Sequence, residues 1–93
     1  MLALEWRLAA RADLLAIVDY ISDDNLDAAQ RLKDEIEAKV ARLQARPQLF
    51  RPGRVPGTRE MVVRPNYIVV YTFDAQTGFV LRVLHAAQQW PKA

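Results

Sequence analysis

The chain has 93 residues, with 13 basic and 11 acidic side chains, so its formal net charge at pH 7 is only +2. This length predicts one domain, spanning residues 1–93, with a modest core, and a hydrophobic content of 52% is too high for a disordered chain. The chain has no cysteine, which excludes disulfides, thiolate catalysis and cysteine-ligated metal sites. Because charged residues interrupt the apolar start, we expect neither a signal peptide nor a membrane span there, and therefore a cytoplasmic protein.

The start of the chain predicts a short strand and an amphipathic helix. Residues 2–6 form a short apolar run, which is typical of an edge strand or a first strand. Apolar side chains then recur at helical spacing over residues 9–22, with Arg11 and Asp13 expected on the other faces of that helix. A polar cluster that begins with Ser22 is expected to end the helix.

A second, longer helix is predicted over residues 26–45. Asp24 or Asn25 is expected to be its N-cap, and the proline that follows stops it. Its apolar stripe consists of Ala29, Leu32, Ile36, Val40 and Leu43. Because the link between the two helices is short, they should form an antiparallel helical hairpin.

Beyond the helices, the apolar pattern changes from helical to strand-like. A loop rich in proline and glycine is predicted over 46–58, followed by strands over 59–63, 67–73 and 79–86. The middle strand is apolar on both faces and should be central. The links between these strands are too short for parallel crossovers, so an antiparallel meander is expected. The predicted order is β-α-α-β-β-β, an α+β fold in which an antiparallel sheet packs against the N-terminal helical hairpin.

Basic residues concentrate in and beside the predicted loop. Residues 9–45 carry a net charge of −3, whereas residues 46–64 carry five arginines and one glutamate, a net charge of +4. Arginine has a planar fork that binds phosphates and carboxylates in a bidentate manner. Two interpretations stay open: a solvated loop face, or an anion-binding edge for nucleic acid or an acidic partner.

Three segments resemble the C-terminal half of RelE/ParE toxins, which are also called plasmid-stabilisation proteins. They are Gly57–Val63, Asn66–Tyr71 and Val80–Pro91, and the family pattern is G-x-R-E-x-V, then Y-x-V-x-Y, then V-L-x-V-x-H-x-x-Q/R. The helical half also matches, so the resemblance covers nearly the whole chain. It implies the toxin of a bacterial type II toxin–antitoxin pair, a growth-arresting protein with no metal or cofactor. A cognate antitoxin would wrap and neutralise it in a hetero-oligomer.

The resemblance leaves two molecular targets open, because the fold does not decide between them. ParE-like members inhibit DNA gyrase and are not enzymes, whereas RelE-like members cut mRNA in the ribosome without a metal. The nuclease branch usually carries arginine directly after the tyrosine of the central strand, where this chain has Ile68. It also tends to end in a tyrosine or a His-Tyr pair, where this chain has Gln88-Gln89-Trp90. Both departures favour gyrase inhibition, with ribosome-dependent mRNA cleavage as the alternative.

The candidate site residues differ between these two hypotheses. A nuclease would use His85, the single histidine, as general acid or base, and Arg59 and Arg64 to stabilise the phosphorane. A gyrase inhibitor would contact its target through arginine side chains and the C-terminal segment, namely Arg54, Arg82, Gln88 and Trp90.

Several of these residues also have a structural interpretation. Glu60 is expected in an ion pair, either with Arg64 or across strands. Arg82 is either a solvated edge residue or a contact on the open face of the sheet. His85 is expected to close the last strand, since it continues by a period of two the face of Phe79, Leu81 and Val83. The tyrosines in phase with the apolar face of the central strand, expected in the core, are Tyr67 and Tyr71.

Overall fold

A helical hairpin and a five-stranded sheet make up residues 1–91, the part of the chain that the computed structural model describes. The elements are β1 (Ala3–Trp6), α1 (Leu8–Ser22), α2 (Leu26–Arg42), β2 (Arg51–Pro52), β3 (Arg59–Arg64), β4 (Tyr67–Phe73) and β5 (Thr77–His85). They follow the predicted order with one additional short strand, β2, inside the predicted loop. The α+β prediction is confirmed.

The strands lie in the order β1-β5-β4-β3-β2. Each strand from β2 to β5 pairs antiparallel with the next one along the chain, so the predicted meander is confirmed. Strand β1 pairs in parallel with β5, from Ala3 opposite Thr77 to Trp6 opposite Val80, so the sheet is mixed and not wholly antiparallel as predicted. No short turn sets the direction of this pair, because the two strands come from opposite ends of the chain.

Local signals set the limits of α2. Asn25 is its N-cap, with an extended backbone and a side-chain oxygen that accepts a backbone N–H three residues on, at 2.9 Å. The helix ends at Arg42, three residues earlier than predicted. The N–H groups of Leu43 and Gln44 bond to carbonyls three residues back, which tightens the chain into a turn. The Gln44 side chain then donates to the Leu2 carbonyl at 2.9 Å and joins this turn to the start of the chain.

The core lies between the helical hairpin and one face of the sheet. All five residues of the predicted α2 stripe are buried, and the sheet side of the core is formed by Met61, Val63, Val69, Tyr71, Val80 and Val83. The prediction of both tyrosines in the core is confirmed. Tyr71 is buried within the core, and Tyr67 is partly buried and packs against the core. Strand β4 is central as predicted, and Ile68 and Val70 are buried on its other face.

Strand β5 contains an irregularity that the sequence pattern did not indicate. It begins at Thr77, two residues earlier than predicted, and its pairing with β4 shifts by one residue at Leu81. This bulge changes the phase of the side chains, so Val80 rather than Leu81 is buried before Val83. The period-two prediction for this strand was therefore wrong, and His85 at its end is exposed.

Candidate functional site

A buried carboxylate organises the arginine-rich loop. Glu60 on β3 is only 3% exposed, and it accepts hydrogen bonds from Arg51 Nη2 and from the Arg54 backbone N–H, both at 3.0 Å. The Nε atom of Arg54 lies 3.2 Å from the same carboxylate. Strand β2 pairs Arg51 directly with Glu60, so the predicted cross-strand ion pair is confirmed and Arg64 is not the partner.

Arg59 holds the same loop to the sheet. Its Nη1 atom donates to the carbonyls of Gln48 and Phe50, at 3.2 and 2.7 Å. Beside it, the Tyr71 hydroxyl donates to the Pro47 carbonyl, and burial raises the pKa of that hydroxyl. These bonds satisfy carbonyls of an irregular segment and fix where the loop leaves the helical hairpin.

Arg64, at the other end of β3, joins the sheet to α2. Its Nε and Nη2 atoms lie 2.8 and 2.7 Å from Glu35 Oε2. The hydrogen bond from Arg64 holds the pKa of the Glu35 carboxyl below its ordinary value. Next to this pair, Lys39 Nζ donates to the Val63 carbonyl at 3.2 Å. No sequence pattern indicated Glu35 as the partner, because it lies 29 positions before Arg64.

The three candidate nuclease residues do not meet at one point. Arg59 and Arg64 occupy opposite ends of β3, which the rise of a strand places about 16 Å apart. His85 and Arg64 are both paired with Tyr67, so these two share one end of the sheet. The His85 ring stands edge-on to Tyr67 at 5.6 Å, and its Nδ1 accepts the Ala87 N–H at 3.3 Å.

The four candidate target contacts share the face of the sheet opposite the helices, here called the open face, or its rim. Glu60, Val70 and Arg82 are partners in neighbouring strands, so they lie on one side of the sheet. The spacing of strands places the outer two about 10 Å apart. Arg54 binds Glu60 on this face, and Trp90 lies with its ring centre 5.4 Å from the Arg82 guanidinium.

The C-terminal segment, residues 86–91, turns at His85 and comes back to Arg82. The Gln88 N–H donates to the His85 carbonyl at 2.9 Å, and Gln88 Oε1 accepts the His85 N–H at 3.4 Å. Gln88 is exposed, whereas Trp90 is partly buried. The turn therefore leaves the Gln88 side chain exposed and places the Trp90 indole against the sheet.

Asp13 on α1 holds Arg82 from the helical side. Its carboxylate accepts hydrogen bonds from Arg82 Nε and Nη2, at 2.6 and 2.9 Å, and from the Val83 N–H at 3.0 Å. The bond to Asp13 raises the pKa of Arg82. The prediction that Asp13 lies away from the buried side of α1 was wrong. It stands three residues after Ala10 and four before Ile17, and this spacing within the apolar stripe was the available signal.

A groove of about 380 Å³ lies where β1, α1 and α2 meet. Its walls combine apolar side chains with two basic and one acidic residue: Trp6, Leu14, Leu15, Val18, Arg11, Lys33 and Glu37. The same hairpin exposes further large apolar side chains, namely Leu8, Tyr20 and Leu26. A partner that covered these side chains would remove their apolar surface from water, which is favourable.

Two other kinds of site are missing from residues 1–91. This part of the chain contains no cluster of three or more histidine or acidic side chains that could hold a metal ion. It also contains no helix long and apolar enough to cross a lipid bilayer. The polar groups described at the open face and its rim are the Arg54 and Arg82 guanidinium groups, each paired with a carboxylate, and the amide of Gln88.

Similarity to known proteins now identifies the family. The family model described as the ParE toxin of type II toxin–antitoxin system, parDE, matches residues 4–90. The chain belongs to the RelE/ParE family of type II toxins. The resemblance of its sequence segments to that family is thereby confirmed, and so is an antitoxin as the partner of this toxin.

Two curated relatives cover nearly the whole toxin. One, from Sinorhizobium fredii and named as toxin Y4kP, is 39% identical over 90 residues, which are 96% of this chain and 93% of the relative. The other, Toxin RelE2 from Caulobacter vibrioides, is 34% identical over 83 residues, 89% of this chain and 93% of that protein.

Two solved toxin–antitoxin structures share the fold. The chromosomal ParDE system from P. aeruginosa superimposes with a TM-score of 0.80 at 28% identity, covering 91% of this chain and 96% of that one. The RelBE2 toxin–antitoxin complex from Mycobacterium tuberculosis gives a TM-score of 0.61 at 26% identity, covering 94% and 93%. The match to the first supports the α+β fold described above.

Proposed function

We propose that this toxin inhibits DNA gyrase in the ParE manner, by binding rather than by catalysis. The observation that carries the proposal is the separation of the candidate nuclease residues. Metal-free RNA cleavage needs a base and charge-stabilising arginines around one phosphate. Here Arg59 is bound to loop carbonyls at one end of β3, while Arg64 is bound to Glu35 at the other.

The environment of Ile68 supports the same conclusion. The nuclease branch carries arginine at this position, and this chain places there an isoleucine that is 5% exposed on the open face. Its partners across the strands are Val62 and Leu84, so the centre of this face is apolar. The higher TM-score to the ParDE structure than to the RelBE2 structure also favours the ParE-like function.

We place the gyrase contact on the open face and the C-terminal segment. Arg54 and Arg82 are partly exposed, and a carboxylate orients each of them. An arginine held in one orientation loses less side-chain entropy when it binds a second anionic group. With the exposed Gln88 and the indole of Trp90, these residues form a polar surface with one aromatic anchor, a combination common in protein interfaces.

We place the antitoxin in the groove of the helical hairpin. Its apolar walls and the exposed leucines beside it lie on the helical side of the sheet, away from the open face. A partner segment with an apolar stripe would bury this surface and stabilise the toxin by mass action. Antitoxin and gyrase would then contact different faces of the molecule.

The test is DNA cleavage trapped by gyrase. Purified toxin is incubated with gyrase, ATP and supercoiled plasmid, and linear DNA is measured after the gyrase is denatured. We expect linear DNA to accumulate with the toxin and to disappear when the antitoxin is added first. Arg54→Ala should reduce it, whereas Arg31→Ala should not, because Arg31 is exposed on α2 and makes no ion pair within residues 1–91. A growth-arresting toxin that traps no DNA would refute the proposal.

Ribosome-dependent mRNA cleavage is the second candidate. It is favoured by the similarity to a protein named Toxin RelE2, and by the exposed His85 at the end of β5. Toxin and programmed ribosomes are incubated together, and cuts in the mRNA are mapped. Cleavage that disappears in His85→Ala and in Arg64→Ala, with both variants folded, would establish this function instead.

A further inference from the structure

Asp13, Arg82 and Trp90 form a chain of contacts from α1 to the C-terminal segment. The carboxylate binds the guanidinium through two hydrogen bonds, and the guanidinium lies over the indole ring. Asp13 lies 69 positions before Arg82 in the sequence, whereas Arg82 and Trp90 belong to the same end of the chain. The side chain of Asp13 is 15% exposed and that of Arg82 is 23% exposed, so water screens this ion pair less than a surface pair.

The position of Asp13 follows from the point where β1 ends. Strand β1 pairs with β5 only as far as Val80, after which the chain turns away into α1. The Val83 N–H beyond that point has no strand partner on this side, and an unpaired backbone donor is costly. Asp13 accepts this N–H as well as the two bonds from Arg82. One side chain therefore completes the sheet edge and sets the direction of the Arg82 side chain.

Arg82 in turn holds Trp90. The indole Nε1 of Trp90 is buried and has no hydrogen-bond acceptor within residues 1–91, although buried indoles usually find one. The ring is therefore oriented by packing and by the guanidinium over its face, a cation–π contact at 5.4 Å. If the side chain at position 82 pointed elsewhere or carried no charge, Trp90 would lose this cation–π contact.

We propose that Asp13 is a positioning residue for target recognition, which acts through Arg82 to hold Trp90 and the C-terminal segment in the target-binding conformation. The inference rests on the proposed contact between this segment and gyrase. It assigns a role in target binding to a residue of α1 that does not itself lie on the open face.

The test compares Asp13→Asn with Asp19→Asn. Asparagine keeps the size of the side chain but loses the charge and turns an N–H₂ group toward the arginine, so the bidentate pair is broken. Asp19 is exposed on the same helix, and its side chain makes no hydrogen bond within residues 1–91. We expect Asp13→Asn to lower the linear DNA trapped at a fixed toxin concentration about tenfold, the effect of one lost charge-assisted bond. Asp19→Asn should match the wild-type toxin.

A spectroscopic measurement reports the segment directly. In a Trp6→Phe background, Trp90 is the only tryptophan, and its quenching by acrylamide measures its exposure. We expect stronger quenching with Asp13→Asn and with Arg82→Lys, which keeps the charge but not the planar fork. The quenching with Asp19→Asn should equal that of the Trp6→Phe toxin. Circular dichroism and antitoxin binding, both compared with the Trp6→Phe toxin and expected to match it, exclude unfolding as the cause.

The outcomes separate this inference from the proposed function. Unchanged quenching in both Asp13→Asn and Arg82→Lys would overturn the positioning role whatever the target is. Stronger quenching with full trapping of DNA would also overturn it. If the wild-type toxin arrests growth but traps no DNA, gyrase is not the target, and the same variants are compared by growth arrest. Arrest lost in Asp13→Asn would then support the positioning role, and arrest retained would overturn it.

Discussion

Replacement of the buried Glu60 by glutamine tests whether this carboxylate organises the arginine-rich loop. Glu60→Gln keeps the volume of the side chain, removes its charge and turns an N–H₂ group toward the donors of Arg51 and Arg54. Each charge-assisted hydrogen bond lost at a buried group costs about 1.5–3 kcal/mol. Arg51 is 55% exposed and Arg54 is 38% exposed, so both regain water and the loss must be discounted. We expect a net loss of about 2 kcal/mol in the free energy of unfolding.

The effect should be asymmetric between the partners. Arg51→Ala leaves Glu60 bound to the backbone N–H and the Nε of Arg54, and it should cost less than about 1 kcal/mol, since an exposed partner is removed. Glu37→Gln is the matched control, because Glu37 is exposed, its i,i+4 partner Lys33 is partly exposed, and water screens their ion pair.

The assay is thermal unfolding of the free toxin, followed by circular dichroism. For a chain of this size, the expected loss for Glu60→Gln corresponds to a fall in Tm of roughly 8–16 °C. If Glu60→Gln lowers the free energy of unfolding no more than the Glu37→Gln control does, the reasoning is refuted. The loop would then be held by something other than this carboxylate. Trapped DNA should fall together with stability, since Glu60 orients Arg54.

Three further predictions concern the core, acid stability and the antitoxin. Ile36→Ala removes a fully buried side chain of α2 and should cost about 2–5 kcal/mol in urea unfolding; a loss below about 1 kcal/mol would contradict the packing described. The lowered pKa of Glu35 means that its bond with Arg64 contributes stability above the ordinary carboxyl pKa of 4.5 and loses it as the pH falls below that value. Arg64→Gln should therefore flatten the acid limb of the stability curve, and an unchanged limb would count against the pair. Antitoxin at a hundred times its Kd should stabilise the toxin by about 2.7 kcal/mol in thermal melting, and no shift at saturation would argue against a bound complex.

The local features of the fold were predictable because they depend on neighbouring residues. Apolar spacing placed α2 and its buried stripe, and Asn25 was one of the two caps expected for it. Short links between the late strands predicted their antiparallel order, since such links cannot cross over a sheet. The central position of β4 followed from apolar side chains on both its faces. Where a single residue broke the period, at the bulge in β5, the prediction of which face is buried was wrong.

The candidate residues themselves came from the sequence, but their partners did not. By itself the sequence determined the family, the order of elements, and the arginines, histidine and tryptophan worth considering. Only the tertiary structure decided that Glu60 binds two arginines of the loop, that Arg64 binds Glu35 and that Arg82 binds Asp13. It also decided that β1 runs parallel to β5. The physical reason is that an ion pair between residues dozens of positions apart depends on which faces meet after packing, and no local spacing encodes that meeting.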